Sequence, residues 1–466
     1  MPGALAVACQ GDVRVPPEGD NVRSRNRPTH FRFIATGVAA LSAAALAVLP
    51  AGSVSATSTI TYDVHPIARL AIATSGAQPG GFPYTPSQCV THFGFACYGP
   101  SDFRSGYDVP TRLDGSGQTI VIVDAYGSPT LRNDLAVYDA EFGLPPAKLN
   151  ILYPGGSPTY NPLQSHDETS WAEETSLDVE QAHGLAPQAT IDLVIAANNN
   201  GDVLDNAEQY AVANHLGNVL SMSYGAPEAA FNGNSGQQAQ AEAIDAQAAQ
   251  EQMSVFASAG DTGAAEGTTS PTSLFPASDP NVTAVGGTNL FLSDSGSYQS
   301  ETTWNDLVDC PFGCSAGPIG ATGGAPSTLF RAPAYQQGIT GEAMRTTADV
   351  SFNASVYTAT MIYLGFLGAA NDGFYFFGGT SEGAPSWAAL TALADEQAGH
   401  PLGSLNPLLY GIARSASAYR ADFHDVTVGN NDFGGGGFPA GPGYDVPTGL
   451  GSPNAKALFR SLAAGL

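Results

Sequence analysis

Short apolar runs ending in small or turn-forming residues recur along the chain from about residue 113. They are "QTIVIVDAYG" (118–127), "ATIDLVIAA" (189–197), "NVLSMSYG" (218–225), "SVFASAG" (254–260) and "VTAVGG" (282–287). Each is continuously apolar rather than alternating, as strands covered on both faces are. Amphipathic segments such as "DNAEQYAVANHLG" (205–217) and "QAQAEAIDAQAAQEQ" (238–252) lie between them. The pattern predicts an α/β fold, a mostly parallel central sheet with helices on both faces. In such sheets chemistry gathers beyond the carboxyl ends of the strands, so the loops after these runs carry the interest. Residues 57–112 are rich in Gly, Pro, Ser and Thr without apolar period, and read as a linker or N-terminal arm rather than a domain.

Composition narrows the partners. The 466 residues include 16 Lys plus Arg against 42 Asp plus Glu, a net charge of −26, with 43% hydrophobic residues. Nucleic acid and anionic membrane surfaces are excluded as partners for the bulk of such a chain. Sparse charge also suits conditions in which carboxylates are partly protonated. Near the N-terminus the sign reverses. Arg23, Arg25, Arg27 and Arg32 precede "FIATGVAALSAAALAVLPAG", and "VSA" (54–56) supplies a small-residue cleavage site. Residues 1–56 are therefore expected to be a signal peptide and the product secreted, with a membrane anchor through residues 34–50 as the alternative. No stable membrane association is expected after cleavage, and a monomer is expected. Removal of Cys9 leaves Cys89, Cys97, Cys310 and Cys314, two close pairs that read as local disulfides 89–97 and 310–314. A four-cysteine zinc site is the alternative.

"FGGTSEGAPSWAAL" (377–390) carries the candidate nucleophile, Ser381, in two overlapping patterns. Gly379 to Gly383 forms a G-x-S-x-G, the elbow of lipases and esterases, which would need an acid and then a histidine downstream. His424, beside Asp425, is the available histidine. Gly379-Thr380-Ser381 with Pro385 instead forms the G-T-S-x-x-x-P of subtilisin-like peptidases. The H-G-T-H motif of those enzymes is missing, and His183-Gly184 is read as a helix end favoured by the dipole. The base must then be another group. "SWAEETSLDVEQAHGLAP" (170–187) predicts a helix opened by a Ser170–Glu173 capping box and closed by Gly184 and Pro187. On it Glu174 and Asp178 are four apart and share one side. If that side is buried both cannot ionise easily, and one carboxyl becomes a base for acidic pH. An acidic, solvated helix face is the alternative. Asp261 follows a strand where a neutral carboxylic acid could donate to a developing oxyanion; a turn residue is the alternative.

Together these stretches resemble the sedolisins, serine-carboxyl peptidases on a subtilisin-like fold. The resemblance rests on "LDGSGQTIVIVDAYGSP" (113–129), "FGLP" (142–145), "EETSLDVEQAHGLAP" (173–187), "ASAGDTG" (257–263) and "FPASDPNVTAVGGT" (275–288). It continues through "ETTWN" (301–305), "ADVSFNAS" (348–355), the Ser381 segment and "DVTVGNN…FPAGPGYDVPTGLGSP" (425–453). It implies a peptidase domain over 113–466, with Ser381 as nucleophile, Glu174 as general base, Asp178 as its proton-sharing partner and Asp261 as the oxyanion acid. Protein or peptide substrates follow. It also implies one structural calcium ion held by the side chains of Asp425 and Asp445 and the carbonyls of Val426, Gly441 and Gly443. Carboxylates and carbonyls in a Gly-rich loop are the hard oxygen donors calcium takes. Two departures stand out. Sedolisins carry a large folded propeptide, whereas the arm here does not read as one, and "ADVSFNASVYTA" lacks the proline-glycine turn common after that motif. The alternatives are an inactive binding member of the fold and a Ser381–His424 esterase.

Overall fold

The computed structural model describes residues 64–66, 69–72, 82–159, 161–163, 165–231, 235–308 and 319–465. The expected signal segment and the Cys310–Cys314 pair lie outside them. The first described elements are two short strands, β1 (His65–Pro66) and β2 (Arg69–Ile72). They are followed by α1 (Pro86–Phe93), β3 (Ala96–Tyr98) and α2 (Pro100–Gly106). Residues 82–112, expected to be linker or arm, are thus folded into the body. Their apolar content is aromatic and packs on a distant strand, so no local period announces it. Phe82 meets Phe374 at 4.4 Å between ring centroids, and Phe93 and Phe95 meet Phe376 at 4.9 and 5.1 Å. The expected Cys89–Cys97 disulfide closes this region, with Cα atoms 5.7 Å apart.

The main sheet then builds from β4 (Thr119–Ala125), α3 (Leu131–Phe142), β5 (Lys148–Leu152), α4 (His166–Leu185), β6 (Thr190–Ala196) and α5 (Gly201–Ala213). It continues with β7 (Val219–Met222), β8 (Tyr224–Pro227), α6 (Ser235–Gln250), β9 (Ser254–Ser258), β10 (Leu274–Phe275), β11 (Val282–Leu292) and β12 (Tyr298–Thr303). After a two-stranded unit, β13 (Pro326–Arg331) with β14 (Met344–Thr346), come β15 (Val350–Asn353), β16 (Thr358–Leu364), β17 (Gly373–Gly378) and α7 (Thr380–Ala398). The central order is β12-β11-β9-β7-β4-β6-β5, with β15 also on β11. All pairs are parallel except β11–β12.

Alternation along β4 explains the two covered faces. Ile120 and Ile122 pack with Val179 and Ala182 of α4 and Trp387 of α7, while Val121 and Val123 pack with Leu204 and Ala211 of α5 and Ile244 of α6. All five apolar runs are strands of this sheet, and both amphipathic segments are its helices. The helix carrying Glu174 starts one turn earlier than the capping box suggests. Ser165 is its N-cap, accepting from the Glu168 N–H at 3.4 Å, and the Ser170 hydroxyl instead donates to the His166 carbonyl at 3.0 Å. From β4 the chain builds β5 and β6 to one side, then returns to place β7, β9 and β11 on the other. The carboxyl ends of β4, β7 and β9 therefore flank a topological switch point.

Candidate active site

The Ser381 turn is built where β17 runs into α7. Gly379 connects them at φ 109°, a conformation strained for any residue with a Cβ, and its N–H donates to the Ala354 carbonyl at 2.6 Å. Pro385 lies inside α7 and cannot donate to the Ser381 carbonyl four residues back. Ser223, just after β7, takes up that freed acceptor. Its hydroxyl donates to the Ser381 carbonyl at 3.3 Å, and the Ser381 hydroxyl donates to the Ser223 carbonyl at 3.4 Å. Gly383 has a packing role. A Cβ there would lie 2.7 Å from Val285 Cγ1, so glycine lets α7 seat on β11. Glu382, between the two, is buried and accepts from Asn353 Nδ2 at 3.0 and 3.2 Å. The G-x-S-x-G spacing thus follows from close helix–sheet packing.

The histidines lie elsewhere. His424 stacks on Tyr298, centroids 3.8 Å apart, and burial lowers its pKa to about 4. His183 is buried with Nε2 2.8 Å from Asp139 Oδ1 and 3.2 Å from the Pro145 carbonyl, so it ties α4 to α3 and the turn after it. Among the described residues no histidine is hydrogen-bonded to Ser381.

Glu174 and Asp178 are fully buried, which rules out the solvated-face alternative. α4 packs beside α7, where Gln181 Nε2 donates to the Ser386 hydroxyl at 3.0 Å. Burial pushes the Asp178 carboxyl well above the usual range, and the neighbouring Asp124 and Glu174 charges push it further. The Glu174 carboxyl and the Ser223 hydroxyl are polar neighbours of Asp178. Two buried carboxyls side by side cannot both ionise easily, so low pH favours one proton shared by the pair. Ser223, which donates to the Ser381 carbonyl, stands between Asp178 and the Ser381 turn. Asp124, at the end of β4, adds a third buried carboxyl. Burial raises its pKa to about 7, moderated by a hydrogen bond from Thr175. Sequence reasoning missed Asp124 and Ser223. Both stand at carboxyl ends of strands flanking the switch point, and that position was the available signal.

Asp261 sits in the loop after β9 and is 3% exposed. Its Oδ1 accepts from the Thr380 N–H at 2.7 Å and the Thr380 hydroxyl at 2.9 Å. The carboxyl therefore lies against the first residue of α7, one residue before Ser381. The site thus assembles the Ser381 hydroxyl, the neighbouring buried carboxyls of Glu174 and Asp178, the Asp261 carboxyl and a helix N-terminus.

Asp425 and Asp445 meet in the Gly-rich loop. Gly443 N–H donates to both Asp425 oxygens at 3.1 Å, Tyr419 donates to Asp425 Oδ1 at 3.0 Å, and Gly441 N–H donates to Asp445 Oδ2 at 3.0 Å. Burial raises Asp445 to about 6, and the Asp425 charge contributes. Among the described residues no cluster of three or more His, Cys, Asp or Glu side chains is placed to hold a metal. Two carboxylates are hard oxygen donors of the kind a divalent cation takes, and here they accept from the backbone N–H groups of Gly441 and Gly443.

Comparisons with known proteins bear on the family and the fold. The family model of the subtilases, Peptidase_S8, matches residues 163–408. Kumamolisin of Bacillus sp. (strain MN-32) is 34% identical over 383 residues, covering 78% of this chain and 63% of its own length. Sedolisin of Pseudomonas sp. (strain 101) is 30% identical over 371 residues, covering 78% of this chain and 60% of its own length. The chain thus spans less than two thirds of these relatives. The solved structure of Pseudomonas sedolisin, a serine-carboxyl proteinase complexed with pseudo-iodotyrostatin, superposes with a TM-score of 0.69 at 30% identity. It covers 78% of this chain and 98% of that one.

Proposed function

Because the chain belongs to the sedolisin family of subtilases, we propose that it is a secreted serine-type endopeptidase working at acidic pH through an acyl-enzyme. The observation that supports this most is the fully buried, neighbouring Glu174 and Asp178 carboxyls beside Ser223, which donates to the Ser381 carbonyl. Glu174 takes the Ser381 proton as Oγ bonds to the peptide carbonyl carbon, and the carbonyl electron pair moves to oxygen. Asp178 keeps the shared proton and orients Glu174. Collapse of the tetrahedral intermediate breaks the C–N bond, and Glu174 returns the proton to the leaving amine. Water then repeats the sequence on the acyl-enzyme. Asp261, protonated, donates to the oxyanion together with the Ser381 N–H at the start of α7.

A pH–rate profile on denatured protein, for wild type, Glu174→Gln and Asp261→Asn together, tests the reading. We expect hydrolysis to rise toward acidic pH, to fall by about 10³-fold or more in Glu174→Gln, and to extend to higher pH in Asp261→Asn, whose amide still donates but does not titrate. Peak activity above neutral pH would sink the protonated-Asp261 step. Proteolysis unchanged in Ser381→Ala would make the chain a binding member of the fold.

A structural calcium ion completes the proposal. The Asp425 and Asp445 carboxylates and the carbonyls of Val426, Gly441 and Gly443 would hold it. Its charge would relieve two carboxylates facing each other in one loop.

A further inference from the structure

The backbone of the Asp261 turn is clamped by a segment some sixty residues further along the chain. The Asp261 carbonyl accepts from the Ala321 N–H at 3.0 Å, and the Gly260 carbonyl accepts from the Gly323 N–H at 2.8 Å. In return the Gly263 N–H donates to the Ala321 carbonyl at 3.0 Å. Glycine at 323 permits this approach, since a Cβ there would run into the Ala259 carbonyl oxygen. The Asp261 side chain is engaged by Thr380 through Oδ1, so in the proposed mechanism Oδ2 carries the proton to the oxyanion. Where that oxygen points depends on how the backbone of 260–264 is held.

Asn431 secures both ends of this turn. It comes from the Gly-rich loop between Asp425 and Asp445 and is fully buried. Its Nδ2 donates to the carbonyls of Gly323 and Gly324 at 3.2 and 2.9 Å. Gly323 is thus held by Asn431 at its carbonyl while it holds Gly260 with its N–H. At the far end of the turn the Ala264 N–H donates to the Asn431 carbonyl at 3.0 Å. The seating is close, because a Cβ at Gly263 would lie 2.8 Å from that same carbonyl oxygen. Asn431 is itself fixed. Its Oδ1 accepts from the Phe438 N–H at 2.9 Å, and Asn305 Nδ2 donates to the carbonyls on either side, Asn430 and Asp432, at 3.1 and 3.0 Å. A carboxamide suits the position, since both of its N–H groups meet carbonyls while its oxygen meets an N–H. Alanine would leave those carbonyls without this donor.

We infer that Asn431 is a positioning residue for the oxyanion acid, acting through the 260–264 backbone to set the direction of the Asp261 carboxyl. The inference rests on the reading of Asp261 as that acid. Oxyanion donors work at about 2.7–3.1 Å, and a displacement of about 1 Å at a reacting centre costs on the order of 10²-fold. A buried asparagine that served the fold alone would affect all active-site ligands alike. One that aims Asp261 affects the tetrahedral adduct and spares ligands that form none.

The test compares two probes at acidic pH. The tripeptide aldehyde acetyl-leucyl-leucyl-phenylalaninal is converted by a nucleophilic serine to a tetrahedral hemiacetal, whereas the matching alcohol forms no adduct. Affinities for both are measured on the full-length chain, Asn431→Ala, Asp261→Ala and the double variant. Asn431→Ala should weaken the aldehyde by about tenfold or more and leave the alcohol within about twofold. In the Asp261→Ala background the same change should do almost nothing further to the aldehyde, because the group it aims is gone. Equal effects on the two probes, including no effect on either, would overturn the inference. So would an undiminished effect of Asn431→Ala in the absence of the Asp261 carboxyl. Failure of the underlying reading looks different. There Asp261→Ala by itself would leave the preference for aldehyde over alcohol intact, and the inference would fall with it. If Asn431→Ala does not fold, Asn431→Ser, which keeps one donor, carries the same four-way comparison.

Discussion

Glu208 on α5 and Asp245 on α6 should set a ceiling on the pH at which this fold is stable. They are 3% and 1% exposed and lie side by side, where both cannot easily ionise. Burial, then the charge of Asp205, raises Glu208 from 4.5 to about 8, and Asp279 adds to the effect. An acid whose pKa is higher in the folded state stabilises the fold fully below its unfolded pKa. It loses that contribution as pH rises through the folded value. Unfolded Glu208 releases its proton near pH 4.5 and the folded chain holds it to about pH 8, a difference corresponding to roughly 5 kcal/mol. Glu208→Gln keeps the shape and the capacity to bond Asp245, but does not titrate. In a Ser381→Ala background, which prevents autolysis, urea unfolding is compared at pH about 4.5 and about 8. The parent should lose stability over this interval, and Glu208→Gln should lose roughly 3–5 kcal/mol less. Parallel losses in the two proteins would refute the assignment of this titration to the α5–α6 pair.

Three further outcomes are expected. Asp124→Asn removes a charge that raises Asp178, so the pair should give up its shared proton at lower pH. The neutral-side limb of the activity profile should move down by about one pH unit with KM little changed, and an unmoved limb would exclude Asp124 from the network. Gly383→Ala would gain about 1 kcal/mol from helix propensity but drives a Cβ against Val285. Overpacking of this kind costs about 1–3 kcal/mol, so Tm should fall, and a raised Tm would contradict the close seating of α7 on β11. Calcium at about one hundred times its Kd should stabilise the chain by about 2.7 kcal/mol in thermal unfolding, with EGTA removing the gain. Because Asp445 must ionise to bind and its pKa is raised to about 6, the gain should shrink below that pH. A gain that persists undiminished in Asp445→Ala would place calcium elsewhere.

What the chain announced in advance was whatever had a local period. Strands such as "TIVIVDA" are buried on both faces and are therefore continuously apolar, so they were legible from residues 119–125 alone. The spacing of Glu174 and Asp178 likewise placed them on one face of a helix. The region 82–112 was opaque for the opposite reason. Its Phe82, Phe93 and Phe95 touch aromatic neighbours locally, but they reach the body through Phe374 and Phe376, nearly three hundred residues away. The same holds for Ser223 and Asp124. Nothing local marks a serine or an aspartate at a strand end as a neighbour of Glu174 and Asp178, because the sheet order creates that proximity.

The carboxyl base proposed here and the acidity of the interior would share one physical origin. With only 16 Lys plus Arg in 466 residues, few buried carboxyls can find a cation. Asp349 does, 2.5 Å from Arg345 with both side chains fully buried. For Asp124, Glu301 and Asp205 no cation is among the groups that shift them, and burial raises each to about 7. Such groups are tolerated inside only as neutral acids, which makes protonation a condition of folding as well as of chemistry. A histidine base would be charged and idle under those conditions, whereas a carboxyl pair sharing one proton retains a basic oxygen there. Low pH thus favours both the protonated Asp178 of the proposed mechanism and the neutral carboxyls buried around it. Raising the pH should therefore remove activity and stability together.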